Sequence, residues 1–203
     1  MKILAFTDIH ANVKLLEKIV KKSARVDLLV CCGDFTFFGD GATLFFSILK
    51  KANKPLFLIP GNHEDMLAFN SLTQRFPFVT NLHRRSSLFQ NHLFVGYGGG
   101  GFSSIDSGLE TFVSSFVKKR ASQQHPLIFI THAPPFKSKL DYLPHLHDHR
   151  GCKSTVRAIK ELRPILTLCG HFHETFHLHD HIGKTLVINP GPDGEILDTN
   201  HLI

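Results

Sequence analysis

The chain reads Ile3-Leu4-Ala5-Phe6-Thr7-Asp8-Ile9-His10 near its start, an apolar strand-like run that leads directly into two potential metal ligands. Two further runs repeat this arrangement, at residues 28–32 before Gly33-Asp34 and at residues 56–59 before Gly61-Asn62. Apolar residues with helical spacing separate the runs, the first of them after the candidate helix cap Asn12. The first third of the chain is therefore predicted to be βαβαβ, with parallel strands and right-handed crossovers.

The rest of the chain mixes both kinds of element. Its predicted helices cover residues 65–74, 109–119 and 154–162. Its predicted strands cover residues 127–130 and 165–169, with short strands within residues 79–97 and in the tail from Thr175 onward. We expect an α/β fold that forms one domain over residues 1–203.

The composition is that of a globular protein, with 42% hydrophobic residues. No apolar run reaches the length of a membrane span, and the apolar N-terminus meets Asp8 too early for a secretory signal. The four cysteines form no Cys-x-x-Cys pair and are predicted to be buried thiols in a reducing compartment. These observations predict a cytoplasmic protein without a membrane partner.

The formal net charge is +6, which favours anionic partners in general. The basic residues are scattered and are not interleaved with aromatic residues, so stable nucleic-acid binding is not expected. A nuclease would need a contiguous basic groove or an added DNA-binding domain, for which the chain leaves little room. The sequence does not determine the oligomeric state.

Residues able to bind metal ions follow the strand-like runs in a regular order. The candidate ligands are Asp8, His10, Asp34, Asn62, His132, His171 and His173. Because ligands in open α/β sheets gather at the carboxyl ends of strands, these side chains are expected to converge. In an extended chain, residues i and i+2 point to the same side. Asp8 with His10, and His171 with His173, are therefore each predicted to reach one ion.

Two divalent ions would bring more positive charge than Asp8 and Asp34 neutralise, which suits a phosphate-ester substrate. A carboxylate bridging the ions would hold them roughly 3.5–4 Å apart, and a shared water with its pKa lowered toward about 7 would be the nucleophile. His63 is free to protonate the departing alkoxide as a general acid. Imidazole and oxygen ligands suit manganese, iron, zinc, nickel or cobalt better than calcium or magnesium, and manganese is favoured.

Five short blocks of the chain resemble those of the calcineurin-like metallophosphoesterases, in particular the small prokaryotic members. The blocks are Asp8-x-His10, Gly33-Asp34, Gly61-Asn62-His63-Glu64, His132 and Gly170-His171-x-His173. The resemblance implies two mixed β-sheets packed face to face with helices on the outer faces. It implies a first metal held by Asp8, His10, Asp34 and His173. It implies a second metal held by Asp34, Asn62, His132 and His171, with His63 as the acid near the leaving group.

The second block departs from that family. Many members have a further acidic residue shortly after the aspartate, whereas here Phe35-Thr36-Phe37-Phe38 follows Asp34. The difference leaves the predicted metal ligands intact. It concerns the residues that support those ligands and select the substrate.

Other histidines and one glycine-rich run lie outside the blocks. His149, after a proline-rich loop, is a candidate for contacting the substrate phosphate, against an ordinary exposed loop residue. A second set alternates along one predicted strand and consists of His177, His179 and His181. We expect this set to form a solvated sheet face rather than a metal site. Residues 96–101 match G-x-G-x-x-G, but no helix follows them directly, so a dinucleotide site is rejected.

The predicted function is a dinuclear-metal-dependent phosphohydrolase with His63, Asp34 and Asn62 as catalytic residues. A phosphodiesterase is favoured over a phosphomonoesterase, because an alkoxide leaving group gains most from protonation and a diester brings less charge into the site. The substrate is a phosphate ester, with nucleotides among the candidates. The alternative is a catalytically inactive binding or scaffold module of the same fold. Loss of ligands would indicate such a module, and here all seven ligands and His63 are present.

Overall fold

The computed structural model describes residues 1–120 and 125–202, and in that part of the chain it contains five α-helices and thirteen β-strands. The helices are α1 (Val13–Ser23), α2 (Ala42–Leu49), α3 (Met66–Thr73), α4 (Ser107–Lys119) and α5 (Lys153–Leu162). The strands are β1 (Lys2–Phe6), β2 (Leu28–Cys31), β3 (Leu56–Leu58), β4 (Val79–Asn81), β5 (Arg85–Phe89), β6 (His92–Tyr97), β7 (Leu127–Thr131), β8 (Tyr142–Leu143), β9 (Asp148–His149), β10 (Leu166–Leu168), β11 (His179–Ile182), β12 (Thr185–Ile188) and β13 (Glu195–Asp198).

The first sheet has the strand order β13-β1-β2-β3-β4. Strands β1 to β4 pair in parallel, and β13 pairs antiparallel with β1. The predicted βαβαβ arrangement is therefore confirmed, with α1 and α2 as the crossovers. Asn12 caps α1 as expected, because its side chain accepts a hydrogen bond from the backbone N–H of Leu15 at 3.2 Å.

The second sheet has the strand order β11-β12-β10-β7-β6-β5. Its four central strands are parallel, and the antiparallel strands β11 and β5 form its edges. The strands predicted at residues 127–130 and 165–169 are β7 and β10, both in the middle of this sheet. A separate two-stranded ribbon consists of β8 and β9.

Alternate residues of the strands face different layers, which divides the apolar core into three parts. Between the sheets, Ile3 and Val30 of the first pack with Phe94, Ile128 and Leu168 of the second. Helices α1 and α2 cover the outer face of the first sheet, and α4 and α5 cover that of the second. The predicted fold of two mixed sheets packed face to face, with helices outside, is confirmed.

The structure does not place His177, His179 and His181 on one face of a single strand, as was predicted. His179 and His181 lie on β11 and are exposed, but His177 precedes the strand with a φ of 62°. This left-handed residue turns the chain, so the alternation does not extend to His177. Its Nε2 instead lies 2.9 Å from a carboxylate oxygen of Asp193.

The four cysteines are buried free thiols, as predicted. Burial raises the pKa of Cys31, Cys32 and Cys169, which keeps these thiols protonated and unreactive. Across residues 1–120 and 125–202, every helix is too short or too polar to cross a lipid bilayer.

Candidate metal centre

The candidate ligands lie beyond the carboxyl ends of five parallel strands. Asp8 follows β1, Asp34 follows β2, Asn62 follows β3, His132 follows β7 and His171 follows β10. The loops of the first sheet also bind one another. The backbone N–H of Asp8 donates to the carbonyl of Gly33 at 3.1 Å, and that of His10 donates to the carbonyl of Asp34 at 3.0 Å.

The ligands do not lie in extended chain, so the predicted pairing of residues i and i+2 through strand alternation is wrong. Asp8 and His10 have φ values of 53° and 46°, and His171 has a φ of 75°. The backbone at these left-handed residues is not extended, so strand alternation does not direct their side chains. Asp8 and His10 still belong to one group, whereas His171 and His173 belong to different groups.

The first group of potential ligands consists of Asp8, His10 and His173, whose ligand atoms all lie within 4.8 Å of one another. The Nε2 atoms of the two imidazoles are 3.3 Å apart, and Oδ1 of Asp8 lies 3.6 Å from Nε2 of His173. Oδ2 of Asp8 accepts hydrogen bonds from the Thr7 hydroxyl at 2.6 Å and from the backbone N–H of His171 at 3.0 Å. Oδ1 is buried and has no hydrogen-bond partner among the described residues.

The second group consists of Asp34, His132 and His171. Oδ2 of Asp34 lies 3.4 Å from Nε2 of His132. Oδ1 of Asn62 lies 3.0 Å from the same nitrogen and 2.9 Å from Nδ1 of His171. The structure therefore brings all seven predicted ligands together at one edge of the two sheets.

His63 forms a third group with His10 and Asp34, which links the other two. Its Nε2 lies 3.8 Å from Oδ2 of Asp34. The ring of Phe38 stacks on the imidazole with centroids 4.0 Å apart, and the backbone N–H of Phe38 donates to Nδ1 at 3.4 Å. Because Nδ1 accepts this bond, the proton of the neutral imidazole lies on Nε2, the nitrogen nearer Asp34.

Two imidazoles are oriented by backbone carbonyls. Nδ1 of His132 donates to the carbonyl of Cys32 at 2.8 Å, and Nδ1 of His10 donates to the carbonyl of Thr36 at 3.1 Å. Each Nε2 lone pair is thereby left for a metal ion, as is usual for metal-binding histidines. Together with the unpartnered, buried Oδ1 of Asp8, this donor set fits divalent transition-metal ions.

The ionisable side chains of the site change one another's pKa values. Burial opposes ionisation of Asp34, but the hydrogen bond and charge of His132 lower the pKa of the carboxyl to about 2. Burial also opposes protonation of His132, yet Asp34 and Asp8 raise its pKa to about 9. Burial and the charge of His132 lower the pKa of His171 to about 4. A metal ion bound here would compete with a proton for Nε2 of His132.

Glu64 is a positioning residue whose role was not predicted from the sequence. Its carboxylate accepts hydrogen bonds from the backbone N–H groups of Asp34 at 3.0 Å, Thr36 at 2.9 Å and Gly61 at 2.7 Å. It also accepts one from the Thr36 hydroxyl at 2.6 Å. Glu64 thus ties the loop after β2 to the loop after β3. The only sequence feature that could have indicated this role is the position of Glu64 in the Gly61-Asn62-His63-Glu64 block.

A cavity of about 520 Å³ opens over these groups and is lined by His10, Asp34, Phe37, Asn62, His63, Phe102, His171, Phe172, His173 and Glu174. Its described lining contains no Lys or Arg. His149 is not among these residues, although it was predicted to contact the phosphate. It lines another cavity beside Lys137 and Tyr142, and its Nδ1 lies 2.6 Å from Oδ1 of the buried Asp141. The structure does not bring His149 to the other predicted site residues.

Comparison with known proteins gives one family and several similar folds. The family model for calcineurin-like phosphoesterases matches residues 1–175. Uncharacterized protein MJ1162 of Methanocaldococcus jannaschii is 29% identical over 199 residues, which cover 95% of this chain and 88% of that protein. The crystal structure of TT1561 of Thermus thermophilus is similar, with a TM-score of 0.79 and 20% identity, covering 100% of this chain and 96% of that one. A dimetal phosphatase from Danio rerio has a TM-score of 0.64 at 12% identity, covering 93% of this chain and 86% of that one.

Proposed function

The chain belongs to the calcineurin-like phosphoesterase family, and on that premise we propose that it is a phosphodiesterase with two divalent metal ions. As a member of this family it is a metal-dependent phosphoesterase, and therefore a hydrolase. The observation that carries the proposal is the convergence of two potential metal-binding groups, joined through His10 and Asp34 in the third.

The proposed ligands of the first ion are Asp8, His10, Asp34 and His173. Those of the second ion are Asp34, Asn62, His132 and His171. His10 and Asp34 each belong to two of the three groups. Asp34 is the residue proposed to serve both ions, because its carboxylate has two oxygens, whereas His10 has only Nε2 left after Nδ1 donates to the carbonyl of Thr36. The donor set favours manganese, iron, zinc, nickel or cobalt, with manganese first. When bound, the ions would supply an activated water and polarise the phosphoryl oxygens.

His63 is the proposed general acid. Its Nε2 faces the metal-binding groups, 3.8 Å from Oδ2 of Asp34, and from this nitrogen the protonated ring would give a proton to the departing alkoxide and be left neutral. The stacked Phe38 ring holds the imidazole plane in place. A general acid in such a position typically contributes about 10²–10⁴-fold to the rate.

The lining of the cavity supports a preference for diesters. A diester brings one negative charge, whereas a monoester brings up to two. The described lining has no Lys or Arg to meet the second charge, and Glu174 adds a carboxylate. An alkoxide leaving group also makes full use of a proton donor at His63. The proposed substrate is therefore a phosphate diester, with nucleotide diesters among the candidates.

Three broader predictions are part of the same proposal. The core shared by the two sheets supports one domain over residues 1–203. The buried free thiols support a reducing, cytoplasmic location. The scattered basic residues support the absence of stable nucleic-acid binding.

The test compares hydrolysis of bis(p-nitrophenyl) phosphate with that of p-nitrophenyl phosphate, after metal removal and reconstitution with each candidate metal. We expect metal-dependent turnover and a higher kcat/KM for the diester. A strong preference for the monoester would overturn the diester assignment. No turnover with any of the metals would favour an inactive binding module instead.

A further inference from the structure

Two phenylalanine rings at the cavity are largely exposed. Phe37 is 57% exposed and Phe102 is 82% exposed, although both line the cavity that contains the candidate ligands. Single exposed apolar residues are ordinary on protein surfaces, but two exposed aromatic rings that line the cavity of the candidate ligands are not explained in this way. Their faces are available to an apolar part of whatever enters the cavity.

Both rings are set by the backbone of their loops. Phe37 and Asp40 exchange two backbone hydrogen bonds, of 3.2 and 3.0 Å. Phe102 follows Gly101, which has a φ of 111° and where an added Cβ atom would lie 2.6 Å from the imidazole of His171. Only glycine lets the chain pass so close to that imidazole, and the passage places the Phe102 ring beside it.

The two rings lie against different groups of potential ligands. The ring centroid of Phe37 is 6.3 Å from that of His10, in the first group, and 5.7 Å from that of His63. The ring centroid of Phe102 is 4.8 Å from that of His171, in the second group. A phosphate held across both groups would have an aromatic ring near each of them.

We infer that Phe37 and Phe102 form an aromatic clamp that selects phosphate esters carrying a planar aromatic group, such as an aryl ring or a nucleobase. The inference rests on the proposed function, because it places the phosphate at the metal centre. A cavity of about 520 Å³ is large enough for a ligand of nucleotide size. With no Lys or Arg in the described lining, stacking on these rings is the selective contact that the cavity offers beyond the phosphate. A stacked aromatic pair contributes roughly three- to tenfold in affinity.

Phosphonates test the clamp without turnover, because a carbon–phosphorus bond replaces the ester bond. Isothermal titration calorimetry would compare phenylphosphonate, cyclohexylphosphonate and methylphosphonate on the manganese-loaded protein. Phenyl and cyclohexyl rings are similar in size, but only phenyl is flat. The variants are Phe37→Leu, Phe102→Leu and the double variant, which keep apolar side chains and lose the flat faces. Leu88→Ala is the control, because Leu88 is 55% exposed on the edge strand β5 and does not line the cavity.

We expect the wild-type protein to bind phenylphosphonate about three- to tenfold more tightly than cyclohexylphosphonate. Each leucine variant should lose most of that preference, while its affinity for methylphosphonate and the behaviour of Leu88→Ala stay unchanged. Equal binding of the two rings, tighter binding of cyclohexylphosphonate, or a preference that persists in the double variant would overturn the clamp. Turnover of methyl p-nitrophenyl phosphate is measured in parallel. Its absence would count against the proposed function, whereas the phosphonate preference is read from binding alone, so the two failures are distinguishable.

Discussion

Replacing Asp34 with Asn is expected to destabilise the metal-free protein by about 2–3 kcal/mol at pH 7. The pKa of Asp34 is lowered from its ordinary 3.8 to about 2 in the folded protein. A carboxyl with a lowered folded pKa contributes stability above its unfolded pKa, and that contribution is lost as the pH falls toward 2. At about 1.4 kcal/mol per pKa unit, the difference gives the stated cost. The pKa of His132 is displaced further, to about 9, because Asp8 acts on it as well. The value for Asp34 is therefore the better measure of this one carboxylate.

The same substitution should remove most of the stabilisation by metal ions. An ion that binds only the folded state adds about 2.7 kcal/mol at a hundred times its dissociation constant. Asparagine retains an oxygen ligand but loses the negative charge proposed to serve both ions. The variant should therefore gain little from added metal, and its kcat/KM should fall by at least about a hundredfold.

Urea unfolding at pH 7, with EDTA and with added manganese, measures both effects on stability. Asp193→Asn is the control, because Asp193 also pairs with a histidine, His177, but lies outside the cavity with about a third of its side chain exposed to solvent. It should cost less than about 1 kcal/mol and respond to metal as the wild type does. If Asp34→Asn gained as much stability from manganese as the wild type and kept its turnover, Asp34 would not be a shared ligand.

Glu64→Gln is expected to weaken metal binding by about 10–100-fold, because the carboxylate that joins two ligand loops is lost; wild-type affinity in a calorimetric titration would contradict this. His63→Asn should still bind metal but lose about 10²–10⁴-fold in kcat on alkyl diesters, and far less on p-nitrophenyl esters, whose leaving group needs no proton. Equal losses on both substrates would argue against the acid role. Burial, with the charge of Arg84, lowers the pKa of His83 from 6.5 to about 4. Between pH 6.5 and pH 4, His83 is therefore protonated in the unfolded chain but neutral in the folded protein, which lowers the free energy of unfolding. This loss is absent above pH 6.5 and grows to at most about 3 kcal/mol as the pH falls toward 4. Metal-free His83→Gln should accordingly lose less stability than the wild type between pH 7 and pH 4, and parallel unfolding curves would refute this. His149→Ala should leave kcat and KM unchanged in steady-state assays, because His149 lines a different cavity; a raised KM would restore it as a substrate contact.

The fold could be predicted from the sequence because its central strands are buried on both faces. Strands β1, β2, β7 and β10 therefore lie in largely apolar runs, which the turn residues at their ends help to identify. Their boundaries were less accurate. The run predicted at residues 165–169 forms a strand only over Leu166–Leu168, where it pairs with β7 and β12.

The residue types of the site could be predicted, but their supporting contacts could not. Asp8, Asp34 and His132 follow recognisable strands, so a rule about strand ends was enough to bring them together. The role of Glu64, the stacking of Phe38 on His63 and the placement of His149 depend on how separate loops meet. None of these contacts has a signature in spacing along the chain.

The backbone conformation of the ligands explains why spacing alone misjudged their geometry. Asp8, His10, Asp34 and His171 have φ values of 53°, 46°, 48° and 75°. Each left-handed residue with a side chain costs roughly 1–2 kcal/mol, and such residues persist only where the surrounding structure holds them. Here the holding contacts are hydrogen bonds between loops, from Asp8 to the carbonyl of Gly33, from His10 to that of Asp34, and to Glu64. Because these contacts are made by the chain itself, they help to position the ligands. Metal binding is therefore expected to add stability with little reorganisation of the loops.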